Sequence, residues 1–432
     1  MIGLPKKMAY ELALALLILN GVATEAAAQP VRQGSSSIEI PGATLESLLT
    51  LVRQANPELR MAAEDAQAAK ARVGMAGALM DPTVTLLSSE NMLSGGEGMS
   101  TSNEKFTVSV QQGFPLGGKR GLAKRSAEAS ARQQGHLERD MEQDVAMRLK
   151  MAFAENYQAI RVREGMVEIR DLLSRLAVIA EGRYVQGRGM QQDVLMLQAD
   201  TAMMEADILR MDAERAAMRA RINALIARDS ETELADPVAL RPLPAETLLT
   251  LDRLIGKLRE RNPSLAALSA QAEAAESSAE LMRRSWWPDL MVGVGLMTAR
   301  DGTRSYEVMM GFNLPLQVGP RNAQIAEGAA MFRAARARLD NTLFQQQAEL
   351  AAQLAELKAQ RSIHNLLAAT AIPRNQIALK SAASSFELGR GEVMGVLDAA
   401  RRLRETRIEL LKVEVEADKR LATIERLIGE DL

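Results

Sequence analysis

The sequence predicts a mainly α-helical fold with a membrane β-barrel portion: long coiled-coil helices plus four strands per protomer, in two structural repeats. Three observations predict it. Short landmarks recur in one order at one spacing. Helical stretches run far beyond the size of a globule. Each stretch is preceded by two strand-like segments of about ten residues, the length that suits a tilted membrane-spanning strand.

The landmarks come first. Asn56-Pro57-Glu58-Leu59 returns as Asn262-Pro263-Ser264-Leu265, Phe114-Pro115-Leu116-Gly117 as Leu314-Pro315-Leu316-Gln317, and Gly187-Arg188-Gly189 as Gly389-Arg390-Gly391, with offsets of 206, 200 and 202 residues. A duplicated unit of this length is far longer than a solenoid repeat. The expected organisation is a signal peptide over residues 1–28, a first repeat over 29–230 with its strand pair within 83–112, and a second repeat over 231–432 with its strand pair within 290–314. Residues 1–28 carry Lys6 and Lys7, an apolar run from Leu12 to Leu19, and Ala26-Ala27-Ala28 before Gln29, the pattern of an export signal.

Composition narrows the chemistry. Charge is balanced, with 53 Lys+Arg against 55 Asp+Glu, so no basic field points to nucleic acid. Two histidines and no cysteine leave little for zinc, thiol or Ser-His-Asp chemistry, and disulfides are excluded. No cofactor and no metal site are expected: His136 and His364 are each isolated. Phosphate-loop and nucleophile-elbow motifs are absent too, so the sequence does not read as an enzyme.

Between Lys119 and about Glu181 there is no proline, and glycine occurs only at Gly121, Gly135 and Gly165. Apolar residues run Met166, Ile169, Leu173, Leu176, Ala180, then Val194, Leu197, Thr201, Met204, Ile208, Met211, Met218, Ile222 and Leu225. This heptad seam predicts coiled-coil packing. Leu421, Ile424 and Ile428 repeat it on the last helix. The second long helix is expected from near Arg321, kinked at Pro373 by the missing backbone donor. Met196, Met203, Met211 and Met218 recur about every seven residues, which fits core packing better than a thioether site for soft Cu(I).

Strands are expected over Thr83–Ser89 and Phe106–Gln112 around the Ser94–Gly98 loop, and over Leu290–Thr298 and Ser305–Leu314 around Asp301-Gly302, a hairpin turn signal. Trp286 and Trp287 stand just before a strand, with Phe114 and Phe312 at or near strand ends. Such aromatics fit a girdle at a membrane interface, or equally the cap of a soluble core. Four strands cannot close a barrel and lipid tolerates no open edge, so several protomers must share one if these strands span a membrane.

With these motifs in this order, the chain resembles the TolC family of bacterial outer-membrane efflux channels, and Phe114-Pro-Leu-Gly-Gly-Lys-Arg120 resembles most its CzcC-like heavy-metal branch. The resemblance implies a homotrimeric α/β-barrel channel in the outer membrane with a large periplasmic portion. It further implies partnership with a periplasmic adaptor and an inner-membrane pump of the resistance-nodulation-division class. The glycine turns at Gly187-Arg188-Gly189 and Gly389-Arg390-Gly391 would form the periplasmic mouth, and Arg188 and Arg390 are candidate adaptor contacts. Inward-facing aspartates of the family narrow that mouth and favour cations; Asp398 matches one such position, and Gly395 stands where a second is often found. Asp193, in the first half, is the other gate candidate, with a plain helix-start acid as the competing reading. A periplasmic coiled-coil adaptor or scaffold is the alternative function, which leaves the duplicated hairpins unexplained.

Overall fold

The computed structural model describes residues 40–92, 102–299 and 301–432. The expected signal segment and the Ser94–Gly98 loop lie outside these residues.

The first half runs α1 (Leu45–Ala55), α2 (Pro57–Ala76), β1 (Thr83–Met92), β2 (Ser102–Pro115), α3 (Lys119–Val185) and α4 (Gln191–Leu225). Residues 226–250 follow, with a single 3₁₀ turn at Glu246–Leu248. The second half runs α5 (Leu251–Arg261), α6 (Pro263–Arg283), β3 (Asp289–Ala299), β4 (Arg304–Asn313), α7 (Val318–Leu366), α8 (Ile372–Glu387) and α9 (Val393–Ile428). At 67 residues, α3 spans roughly 100 Å at the usual rise per residue.

Three differences from expectation have local causes. The first hairpin is longer than its apolar stretches, because the ladder continues through polar residues to Met92↔Ser102. The second long helix starts at Val318 rather than Arg321: Pro320 falls in its first turn, where a missing N–H costs no bond. Ahead of Pro373 there is no simple kink but a π-turn at Leu367–Ala371. The wider turn takes up the clash between the proline ring and the preceding carbonyls.

The asparagine landmarks have a shared physical basis. Asn56 accepts from the backbone N–H groups of Glu58 and Leu59 at 2.8 and 3.2 Å, capping α2, while its amide donates 2.8 Å to the Leu225 carbonyl at the end of α4. Asn262 accepts from Leu265 N–H at 2.8 Å, capping α6, and donates 2.7 Å to the Leu427 carbonyl at the end of α9. Both are buried. Each therefore satisfies donors that a helix start leaves orphaned and a carbonyl that a helix end leaves orphaned.

Three apolar cores follow the helices. One joins Leu48 and Val52 of α1, Val145, Leu149 and Phe153 of α3, and Ile222 of α4. A second joins Leu254 and Leu258 of α5, Leu350, Leu354 and Leu357 of α7, and Ile424 and Ile428 of α9. The third fills the hairpin ends with the heptad residues Met166, Ile169, Leu173, Leu176, Val194, Leu197, Met204 and Ile208, packed on Phe386, Val393, Val396 and Leu403. The methionine stripe behaves otherwise than expected. Met196 and Met211 pack on this core, but Met203 is 66% exposed, because the buried seam runs one residue further on, through Met204.

A buried ionic cluster ties the pieces together. Lys150 of α3 donates to Glu425 of α9 at 2.8 Å and also bonds Asp431. Arg241, from the segment between the halves, donates to Asp418 at 2.6 Å and Glu425 at 2.5 Å. Burial pushes the Asp418 carboxyl above the usual range, and the Arg241 guanidinium opposes that shift. Each charge here has a partner, as burial requires.

Candidate functional site

The four strands form one antiparallel sheet in the order β1-β2-β3-β4. The two hairpins are joined by the β2–β3 ladder, which runs from Lys105↔Ala299 to Pro115↔Asp289. The register puts Val84 and Leu86 of β1, Phe106, Val108 and Val110 of β2, and Val292, Val294 and Leu296 of β3 on one face, together with Tyr306, Val308, Met310 and Phe312 of β4. The opposite face carries Thr83, Thr85, Thr107, Ser109, Gln111 and Glu307, with Gly293 and Gly295 and the apolar Leu87, Met291, Met297 and Met309. The apolar face is open: Val308 is 75% exposed and Phe312 60%. On the polar face Ser109, Gly293 and Gly295 are buried. The apolar face is therefore open where a soluble sheet would cover it, while Thr83, Thr85 and Glu307 keep the edges of the other face exposed. Edges β1 and β4 have no partner among the described residues.

Aromatics mark one end of this sheet. Trp286 closes a short 3₁₀ turn, Arg284–Trp286, and is half-exposed, as is Trp287. Phe114 and Phe312 lie at the same end, both registered with Leu290. Lys119 reaches across from the start of α3, donating 2.8 Å to the Trp287 carbonyl and 2.7 Å to Asp289. No helix among the described residues is long and apolar enough to cross a membrane.

The two glycine turns close the far ends of the helical hairpins. Gly187 and Gly389 adopt φ of 70° and 75°, the left-handed C′ position of a Schellman ending. Arg188 N–H then donates 2.9 Å to the Arg183 carbonyl, and Arg390 N–H 2.9 Å to the Ser385 carbonyl. The second glycine of each turn serves close approach instead: a Cβ at Gly391 would stand 2.9 Å from Phe386 N, and one at Gly189 3.0 Å from Arg183 Cβ. The side chains of Arg188 and Arg390 are exposed.

Arg183 escaped the sequence reading. Its guanidinium donates 2.7 Å to the Glu387 carbonyl and sits 4.9 Å from the Phe386 ring centroid, a cation–π contact that ties the two turns together. One signal was available: in the second turn the equivalent position is Ser385, so the repeats diverge just where a cross-contact needs two different partners.

Asp193 lies half-buried in the first turn of α4, and Asp398 is exposed in the second turn of α9. Asp398 pairs with Arg402 at 3.0 Å, one helical turn on. Deeper between α4 and α9, Asp207 meets Arg404 at 3.5 Å and Arg210 at 2.5 Å. Among the described residues no group of His, Asp or Glu is placed to hold a metal ion; His364 bonds Glu414 at 3.0 Å without a further ligand.

Comparison with known proteins accords with this geometry. A family model described as outer membrane efflux protein matches residues 48–228 and 254–430. The cobalt-zinc-cadmium resistance protein CzcC of Cupriavidus metallidurans is 24% identical over 398 residues, 89% of this chain and 90% of that protein. The outer membrane protein VceC of Vibrio cholerae superposes with a TM-score of 0.77 at 18% identity, covering 90% of this chain and 96% of VceC. CusC, whose crystal structures concern transmembrane channel formation, superposes with a TM-score of 0.78 at 15% identity, covering 90% of this chain and 93% of CusC.

Proposed function

The chain belongs to the outer membrane efflux protein family, and from that premise we propose that it is the passive outer-membrane conduit of a tripartite heavy-metal efflux system. Three copies would share one barrel of four strands each, embedded in outer-membrane lipid, and their helical hairpins would continue it as a periplasmic tunnel. A periplasmic adaptor and an inner-membrane resistance-nodulation-division pump would feed the tunnel and supply the energy. Similarity to CzcC over most of both chains supports divalent heavy-metal cations as the cargo.

One observation carries the reading: a four-stranded sheet with an open apolar face, a more polar reverse face and two edges that are unpaired among the described residues. Lipid accepts such a sheet only in a closed barrel, and the same sheet has no use in a coiled-coil scaffold. The turns at 187–189 and 389–391 would form the mouth, with Arg188 and Arg390 facing the adaptor. Asp398 would ring the mouth in three copies and attract cations. Asp193, in the first turn of α4, would act there as a weaker second ring. Trp286, Trp287, Phe114 and Phe312 would seat the barrel at the membrane interface.

Single-channel recording in planar bilayers, with the oligomer mass measured in detergent, tests this. The expected result is a trimer with small, cation-selective conductance. Asp398→Ala leaves Arg402 without its partner, so conductance should rise and selectivity shift toward anions. A monomer that never inserts would overturn the barrel, and unchanged selectivity in the variant would remove the gate.

A further inference from the structure

We propose that the polar face of the sheet holds a thioether site, formed by Met80, Met291 and Met309, that takes soft monovalent cations such as Cu(I) or Ag(I). Methionine belongs in a core or against lipid, and Met310 on the apolar face follows that rule. These three do not. Met291 lies opposite Gly113 on β2 and Gly311 on β4, and Met309 lies opposite Gly293. Met291 and Met309 are therefore diagonal neighbours on one face, within reach for long side chains.

The glycines clear the floor beneath them. The Met309 methyl stands 3.3 Å from where a Cβ of Gly293 would be, and the Met80 methyl 3.4 Å from that of Gly113. The Met80 side chain, from the segment ahead of β1, thus lies over Gly113 and that of Met309 over Gly293 beside the Gln111 side chain, while Met291, opposite Gly113 and diagonal to Met309, stands next to both positions on the same face. They are not packed away: Met80 is 68% exposed and Met291 46%. The Gln111 amide approaches Met309 Sδ at 4.0 Å, a weak contact that leaves a sulfur lone pair to spare.

Thioethers select soft d¹⁰ cations over zinc or magnesium, and neutral sulfur binds without losing a proton. Such a site would serve soft monovalent ions in addition to the divalent cations proposed as cargo, which it would not retain, and it suits passing contact more than storage. Its place in the transport path rests on the barrel reading of the sheet; its binding does not.

The test is Ag(I) retention by the purified full-length protein in chloride-free detergent buffer, by equilibrium dialysis and metal analysis. Met80→Leu/Met291→Leu/Met309→Leu should lose one Ag(I) per protomer relative to wild type, with no change in Zn(II) retention. The lost equivalent should be independent of pH between about 5.5 and 8, unlike a carboxylate or imidazole site. Methyl-labelled methionine spectra of the wild type should show these three resonances shifting with Ag(I), which decides the matter even if the triple variant fails to fold. Equal retention by both proteins, or shifts confined to other methionines, would overturn the site. Absent conductance with intact Ag(I) binding would count against the conduit alone.

Discussion

Asn56 and Asn262 were legible in the sequence as landmarks but not as devices. The capping role could be read from the Asn-Pro pair, whereas the carbonyls their amides satisfy lie 169 and 165 residues away. Arg183 escaped for the same reason: its partners belong to the other turn. Glu58, beside the first landmark, gives a residue-scale prediction. The Arg148 guanidinium, donating at 2.5 Å, holds the Glu58 carboxyl below the usual carboxylate range against a smaller opposing effect of burial. A lowered folded value means the pair stabilises above the unfolded value of about 4.3 and is lost as pH falls through the folded one. The stability gap between wild type and Glu58→Gln should therefore be constant from neutral pH to about 5 and close at lower pH. Because both side chains are more than a third exposed, screening limits the gap to about 1 kcal/mol or less. Urea titrations of both proteins across this pH range check it; a gap that widened in acid would contradict the pairing.

At the scale of elements, period and punctuation told most of the story. The heptad seam on α3 and α4 is buried at Met166, Ile169, Leu173, Leu176, Val194 and Leu197, because a 3-4 spacing leaves one stripe that must find a partner. Met203 was misread because a seven-residue recurrence alone does not say which stripe faces inward. Pro373 was legible as a break, but a proline in a long helix can be met by a kink or by one wide turn, and packing decides between them. Replacing it with alanine restores the missing donor. Pro373→Ala should raise stability by about 1–3 kcal/mol and slow amide exchange at residues 367–371 as the π-turn tightens to α. Unchanged exchange there would mean that the surrounding helices, not the proline, hold the turn open.

At the scale of the whole molecule, the proposed adaptor contact can be separated from folding. The turns use the backbone N–H of Arg188 and Arg390, which any residue other than proline supplies, while the guanidinium groups stay exposed. Replacing both with alanine should leave the oligomer and its melting temperature almost unchanged, within about 0.5 kcal/mol, while abolishing cross-linking to the adaptor. Retained cross-linking would move the contact elsewhere on the turns. The order of helices and strand pairs was readable from the landmarks; that β2 and β3 pair to merge two hairpins into one sheet was not, since no local signal names a partner about 180 residues away.

The rims of β1 and β4, unpaired among the described residues, have a consequence for biogenesis. If three copies share one barrel as proposed, a lone subunit carries two templates for strand addition and an uncovered greasy surface, and it is at its most hazardous before it meets the other copies. Insertion and oligomerisation should accordingly be one event, whose rate climbs steeply with the supply of subunits. By the same logic a defective copy does harm beyond its own loss: co-expressed with the normal chain, it would be built into mixed barrels and spoil sound neighbours, giving a dominant phenotype rather than a recessive one.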